Sequence, residues 1–282
     1  MDAFSVTPSG AGFGARIEGV DLSGPMTEET RGAVRAAFAE HGVLWFADQR
    51  IDDDALECFT LAMGEFGEDP FIAALPGRPH VIEVRREPDE TASVFGTAWH
   101  SDWSFQERPP AATLLHARVV PPSGGDTLFC DAKAAFEALS PAFQAMLAPL
   151  AAIHSASRPY GPKGFYAKEG ARKGMTILPA AAAEARTAHP LVRTHPETGA
   201  RSLFVNPVYT VGIEGFEKAE ADALLSFLFA HMTAERFVYR LKWGDGMLVM
   251  WDNRRLNHNA TGGYDGHRRV MHRTTLAGDR PR

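Results

Sequence analysis

The chain has 282 residues, 45% hydrophobic and 23% charged, the composition of an ordinary globular protein, and is long enough for one large domain spanning 1–282. A formal net charge of −6 excludes the broad basic footprint that a nucleic-acid backbone requires, and no apolar run is long enough to cross a bilayer, so neither nucleic acid nor membrane is an expected partner. The opening Met1-Asp2-Ala3-Phe4-Ser5-Val6 lacks a positive n-region and an apolar h-region, which implies a cytoplasmic address; Cys58 and Cys130, without CxxC spacing, read as small core residues.

Gly10-Ala11-Gly12-Phe13-Gly14-Ala15 matches the letters of a dinucleotide fingerprint. No apolar strand precedes it, and Arg16 to Asp21 alternates like a strand instead of opening a helix, so the glycines read as a turn. Thr27 then caps a helix with Glu28 and Glu29 in its first turn and Val34, Ala37, Phe38 and His41 at helical spacing, ending near Gly42. Val43-Leu44-Trp45-Phe46 is a short buried strand. Asp52-Asp53-Asp54 caps a second helix with Leu56, Phe59, Met63 and Phe66 on one face. The stretch 69–95 turns to Pro, Gly and mixed charge around a strand-like Val81-Ile82-Glu83-Val84, and reads equally as a mobile lid or an inert surface loop.

After 97–105 come a strand at 113–120, a Pro-Gly turn at 121–126 and a strand at 127–130, together a β-meander. Residues 132–150 read as helix, restarted at Ser140-Pro141. The piece 155–190 has weak periodicity and is an insert. Strand character returns at 203–206, a strong amphipathic helix runs 217–233, and strands at 236–243, 247–251 and 268–276 close the chain. Helices lying before or between two blocks of strands argue a mainly β sandwich or barrel with helices packed outside.

Within Thr97-Ala98-Trp99-His100-Ser101-Asp102-Trp103, an imidazole and a carboxylate two residues apart point to one side of an extended backbone. With a second histidine they make the facial triad that binds ferrous iron and leaves coordination positions open. Among 11 His and 35 acidic residues a lone H-x-[DE] is expected by chance. His195-Pro196-Glu197 is such a decoy, flanked by turn residues. The final strand adds Arg269 and Arg273, four residues apart and so on one face, roughly 13 Å from each other. Arg254, Arg255, Arg268, Arg269 and Arg273 fall within twenty residues that contain no Lys, and the planar fork of Arg suits bidentate recognition of carboxylate or sulfonate. The third metal ligand is sought among His258, His267 and His272. His272 has the wrong parity; parity does not choose between the other two.

Trp99-His100-Ser101-Asp102, Gly124-Gly125-Asp126-Thr127-Leu128, Trp251-Asp252-Asn253 followed by His258, and Arg268-Arg269-Val270-Met271-His272-Arg273, in this order along nearly the whole chain, resemble the iron and 2-oxoglutarate-dependent dioxygenases of the taurine dioxygenase type. The resemblance implies a double-stranded β-helix (jelly roll) core that uses Fe(II), 2-oxoglutarate and O2 to hydroxylate a small organic acid, a sulfonate or carboxylate, with succinate and CO2 as coproducts. It implies that His100, Asp102 and His258 hold the iron, that Thr127 and Arg269 grip the distal carboxylate of 2-oxoglutarate, and that Arg273 meets the substrate's acidic group. Phe204 and Asn206, with Trp99, Phe105 and Tyr209, are the expected pocket lining. An aspartate at 102, a position that related halogenases leave vacant for halide, predicts hydroxylation. Taurine-specific members carry a histidine on the loop after Phe66-Gly67 and an asparagine at the position of Gly96; this chain has neither, which implies a larger, less polar acid. Ile153-His154-Ser155-Ala156-Ser157-Arg158 looks like the aryloxyalkanoate-degrading branch. Relatives of this kind commonly form dimers or tetramers, so a homo-oligomer is expected. The rivals are a metal-binding jelly roll without catalysis and a hydrolase with zinc at the same triad.

Overall fold

The structure is a computed structural model and describes residues 4–169 and 172–282. β1 (Ser5–Pro8) and β2 (Ala15–Glu18) form an antiparallel hairpin, and Gly10, Gly12 and Gly14 take positive φ between them, as a turn requires. α1 (Glu28–His41) starts where the Thr27 side chain accepts a hydrogen bond from the Thr30 N–H, and stops at Gly42 in the left-handed conformation. β3 (Val43–Phe46) follows directly. α2 (Asp53–Met63) is capped by Asp52. The apolar faces of both helices bury against β3 in one cluster that holds Val34, Phe38, Leu44, Leu56 and Phe59. Each such side chain contributes about 1.5–3 kcal/mol. Two expectations fail here. Phe66 lies beyond the end of α2, in a bridge to Leu276, and Cys58 faces solvent on the outer side of α2.

Beyond β4 (Ile82–Arg86), β5 (Ala112–Val119) and β6 (Thr127–Asp131) lie in different sheets. β5 already has a strand hydrogen-bonded on each side, so it offers no edge to β6, and the 121–126 turn carries the chain across the sandwich instead of closing a meander. α3 (Ala132–Glu137) and α4 (Pro141–Leu147) split at Ser140, which caps the Phe143 N–H. β7 (Ala151–His154) precedes the insert, which holds the short helices α5 (Ser157–Tyr160) and α6 (Phe165–Glu169) and a 3-10 turn at Ala181–Glu184 before returning through β8 (Thr187–Pro190). Residues 170 and 171 of the insert lie outside the described residues. β9 (Val192–Thr194) and β10 (Arg201–Leu203) form a hairpin, and β11 (Thr210–Ile213) joins β7 and β8 in a three-stranded sheet. The strand expected at 203–206 ends at Leu203, because the Asn206 and Thr210 side chains fold the chain into a tight turn.

α7 (Lys218–Met232) opens with a capping box between Glu217 and Glu220. The chain closes through β12 (Val238–Leu241), β13 (Leu248–Asp252), β14 (Leu256–Ala260) and β15 (Arg269–Leu276). A seven-stranded sheet, β1-β2-β3-β13-β5-β15-β4, faces a smaller sheet, β12-β6-β14, across a core of Leu115, Phe129, Val249, Trp251, Leu256 and Met271. α3 and α7 pack outside through Ala135, Phe136, Leu225 and Leu228. This is a jelly roll with flanking helices. Among the described residues no helix is long and apolar enough to cross a membrane.

β7 carries a pH liability. His154 is fully buried, and burial with the neighbouring His189 lowers its pKa from 6.5 to about 3. The unfolded chain binds a proton there below pH 6.5 and the folded chain does not. The stabilisation is therefore full above 6.5 and is lost as pH falls toward 3, by about 1.4 kcal/mol per pH unit. Thermal unfolding should show a smaller loss of Tm between pH 7 and 5 for His154→Gln than for the parent, and equal losses would refute the assignment.

Candidate metal centre

His100 and His258 face each other across a single antiparallel bridge. The His100 N–H donates to the His258 carbonyl at 3.0 Å, and the His258 N–H donates back at 2.7 Å. The ring centroids are 4.2 Å apart. Asp102, two residues along, brings Oδ1 to 3.6 Å from His100 Nε2 and 3.8 Å from His258 Nε2. One donor atom from each of the three lies within 4.8 Å of the others, and all three side chains are buried. His267 sits exposed in the turn before β15, and His272 bonds Asp53 and Glu83 on the other face of the strand. In the decoy, His195 is bound to Asp252 and Glu197 to Arg254.

The electrostatics suit a cation. His100 Nδ1 lies 2.7 Å from the Ala98 carbonyl, so its N–H is used there and the Nε2 lone pair is left facing Asp102. Burial, with the His100 ring beside it, lowers His258 to about 3 and keeps it neutral. Burial alone would raise Asp102, but the charge of the Arg273 guanidinium beside it overrides this and holds the carboxyl well below its ordinary range. Thr113 Oγ1 donates to Asp102 Oδ2 at 2.6 Å, and the Asn253 amide donates to Thr113 Oγ1 at 2.9 Å. This relay pins Oδ2 and turns Oδ1 toward the histidines. Two imidazole nitrogens and a carboxylate oxygen converge, a donor set that fits a divalent first-row metal.

The arginine cluster separates by partner. Arg254 pairs with Asp252, Arg255 with Asp131, and Arg268 with Glu87. Arg269 has no carboxylate within ion-pair distance among the described residues. It is 6% exposed, its Nε has no partner, and Nη2 reaches only the Gly125 carbonyl at 3.5 Å. Its guanidinium carbon is 5.8 Å from the Trp243 ring centre and 6.0 Å from that of Tyr264, and the Trp243 indole N–H donates to Thr127 Oγ1 at 3.0 Å, so Thr127 and Arg269 both contact one indole. Gly124 is required here because a Cβ would stand 2.4 Å from the Gly263 carbonyl oxygen. A buried guanidinium without a counterion is suited to an incoming anion. Arg273 is also buried, with Nη2 3.0 Å from Asp69 and 3.3 Å from Asp102, while Nε has no partner.

A cavity of about 280 Å3 opens from His100 between Phe95, Gly96, Tyr160, Tyr166, Val208 and Tyr209. Tyr209 stands edge-on to His100, and Phe105 packs against Tyr209. Neither Phe204 nor Asn206 lines this cavity. Phe204 stacks on His154 and meets His189 edge-on, and both ends of the Asn206 amide are taken, by Ser104 and by the Tyr209 N–H. Trp99 packs against the core under the helices. Tyr160 and Tyr166 come from the short helices α5 and α6 and Asp69 from the loop after α2, pieces too short or irregular to give a periodic signal.

Comparison with known proteins adds the context of these residues. Residues 5–275 match the family described as taurine catabolism dioxygenase TauD, TfdA family. An alpha-ketoglutarate-dependent sulfate ester dioxygenase from Pseudomonas putida is 32% identical, with 98% of this chain and 90% of that protein covered. An alpha-ketoglutarate-dependent 2,4-dichlorophenoxyacetate dioxygenase from Cupriavidus pinatubonensis is 33% identical, with 95% of each covered. A crystal structure of a taurine dioxygenase from Burkholderia xenovorans superposes with a TM-score of 0.82 at 31% identity, over 99% of this chain and 93% of that one. The structure of AAD-2 in complex with Mn(II) and N-oxalylglycine gives 0.79 at 30% identity, over 99% of each.

Proposed function

Because the chain belongs to the TauD/TfdA family and is an Fe(II)- and 2-oxoglutarate-dependent dioxygenase of small organic acids, we propose that its substrate is an acid with a sizeable apolar body, a sulfate ester or an aryloxyalkanoate, in preference to taurine. His100, Asp102 and His258 would hold the metal in this reading, Thr127 and Arg269 the distal carboxylate of 2-oxoglutarate, and Arg273 the acidic group of the substrate. The bound ferrous ion supplies oxidative decarboxylation of 2-oxoglutarate to succinate and CO2, coupled to hydroxylation of a substrate carbon by O2. The chain's own residues orient and dry the reactants. Thr113 and Asn253 fix the Asp102 carboxylate. Trp243 and Tyr264 exclude water from the Arg269 anion site, which strengthens its hold on a carboxylate. Phe95, Tyr160 and Tyr166 cover the body of the substrate beside His100. Where the hydroxylated carbon bears an ester or ether oxygen, the product collapses to a carbonyl compound with release of sulfate or an alcohol.

The observation that carries the choice of substrate class is the aromatic wall of the cavity, with Gly96 at its inner end. Succinate release under Fe(II) and ascorbate should be scored for alkyl sulfates, aryloxyalkanoates, alkanesulfonates and taurine. One of the apolar acids is expected to exceed taurine. Equal or faster turnover of taurine would sink the assignment, and no succinate with any acid would favour a metal-binding jelly roll without catalysis.

Gly96 offers a sharper check. It has positive φ, and a Cβ there would stand 3.7 Å from His100 Cε1 and 3.8 Å from the Ala260 methyl. Gly96→Asn, with a residue that tolerates this backbone, narrows the inner end. KM for the bulkier acid should rise about tenfold, while KM for 2-oxoglutarate stays unchanged.

A further inference from the structure

We infer that Asp69 is a positioning residue, whose carboxylate draws the Arg273 guanidinium off Asp102 and so keeps that oxygen available to the metal. The inference rests on the reading above, in which Asp102 is a metal ligand. A single nitrogen, Arg273 Nη2, is shared between Asp69 Oδ1 at 3.0 Å and Asp102 Oδ1 at 3.3 Å. That Asp102 oxygen is the one facing both histidines. A guanidinium and a metal ion therefore compete for one lone-pair site, and Asp69 supplies the alternative counter-charge.

Asp69 is built to stay where it is. Its Oδ1 also accepts the Trp103 indole N–H, and Oδ2 accepts the Thr275 hydroxyl at 3.1 Å. The side chain is 9% exposed. With three donors on its two oxygens, it has little capacity left for an ammonium group on a substrate. The Trp103 indole that it holds lies under the Arg273 guanidinium, 5.3 Å from ring centre to carbon, so one carboxylate fixes both the cation and the surface on which it rests. The loop after α2 reaches this position through close backbone approach to β15. The Gly67 N–H donates to the Thr275 carbonyl, and a Cβ on Gly67 would stand 2.8 Å from Thr275 Oγ1. Arg273 Nε is left without a partner and stays available to an anion.

The test is titration of the metal-free full chain with Mn(II), followed by calorimetry, for the parent, Asp102→Ala, Asp69→Ala, Arg273→Gln and the double variant Asp69→Ala with Arg273→Gln. Asp69→Ala is expected to weaken Mn(II) binding about tenfold or more, in the range that loss of an outer partner of a ligand costs. The double variant should recover to within about threefold of Arg273→Gln alone, because the cation that would crowd Asp102 is gone. Asp69→Asn, which keeps an acceptor for the Trp103 N–H, controls for folding and should still weaken the metal. Mn(II) affinity that follows Asp102→Ala but ignores Asp69→Ala, or a double variant as weak as Asp69→Ala, overturns the positioning role alone. Mn(II) affinity indifferent to Asp102→Ala overturns the metal assignment and this inference with it.

Discussion

Asp102→Ala and His100→Ala should each abolish substrate-dependent succinate formation, with loss well beyond the about 10–100-fold in metal affinity that removing an outer partner of a ligand costs. The centre has three donor atoms and no spare among the described residues, so either change leaves two. Asp102 carries a second burden. It is the negative charge nearest two buried imidazoles and lies 3.3 Å from Arg273, so truncation leaves that cation leaning on Asp69 alone beside an empty, partly desolvated site. Breaking a buried pair in this way costs about 3–5 kcal/mol, and the Ala variant is therefore expected to melt earlier. Asp102→Asn separates the two effects, because the amide keeps the shape and an acceptor for the Thr113 hydroxyl while removing the charge. It should fold, bind Mn(II) poorly and remain inactive. Retention of more than a tenth of the parent turnover in Asp102→Asn would remove the aspartate from the ligand set.

The three residues of this centre differ in how far the sequence discloses them. His100 and Asp102 are two apart and are legible as a pair, although only His100 lies in a bridge and Asp102 opens the turn that follows it instead of continuing an extended strand. His258 is not locally legible. Leu256-Asn257-His258-Asn259-Ala260 has no β-branched residue and reads as irregular chain, yet it forms β14 because its backbone pairs with β6, His258 opposite Phe129, and because His258 bonds His100 directly. Parity could not separate it from His267, since parity has meaning only inside a strand and His267 lies in a turn. Thr27, Asp52 and Ser140 were legible as caps because a cap is a contact between residues three apart. The crossing of the chain between β5 and β6 was not, because it depends on which strands already flank β5. Asp69 reaches the site through an irregular segment, and Tyr160 and Tyr166 through helices of about one turn, where position is set by distant contacts and leaves no period in the sequence.

Arg269→Ala should raise KM for 2-oxoglutarate by about two orders of magnitude, the cost of losing a charge-assisted, bidentate contact in a dry site, while KM for the primary substrate moves less than about twofold. Its stability should not fall. Arg269 is buried without a carboxylate partner, and burial holds its pKa below the ordinary arginine value, so the folded chain bears an uncompensated desolvation cost that alanine relieves. An unchanged or raised Tm with a collapsed affinity for 2-oxoglutarate is the mark of a charge kept for a ligand. Arg273→Ala should give the opposite signature. Its removal strands the Asp69 and Asp102 carboxylates in the interior without their shared cation, so Tm should drop by an amount corresponding to about 3–5 kcal/mol, and the substrate's KM should rise more than that for 2-oxoglutarate. Thermal unfolding and steady-state kinetics on the two variants, each with the substrates varied separately, decide between the roles. If both variants raise both KM values alike and both lose stability, the division of the two arginines between co-substrate and substrate is wrong.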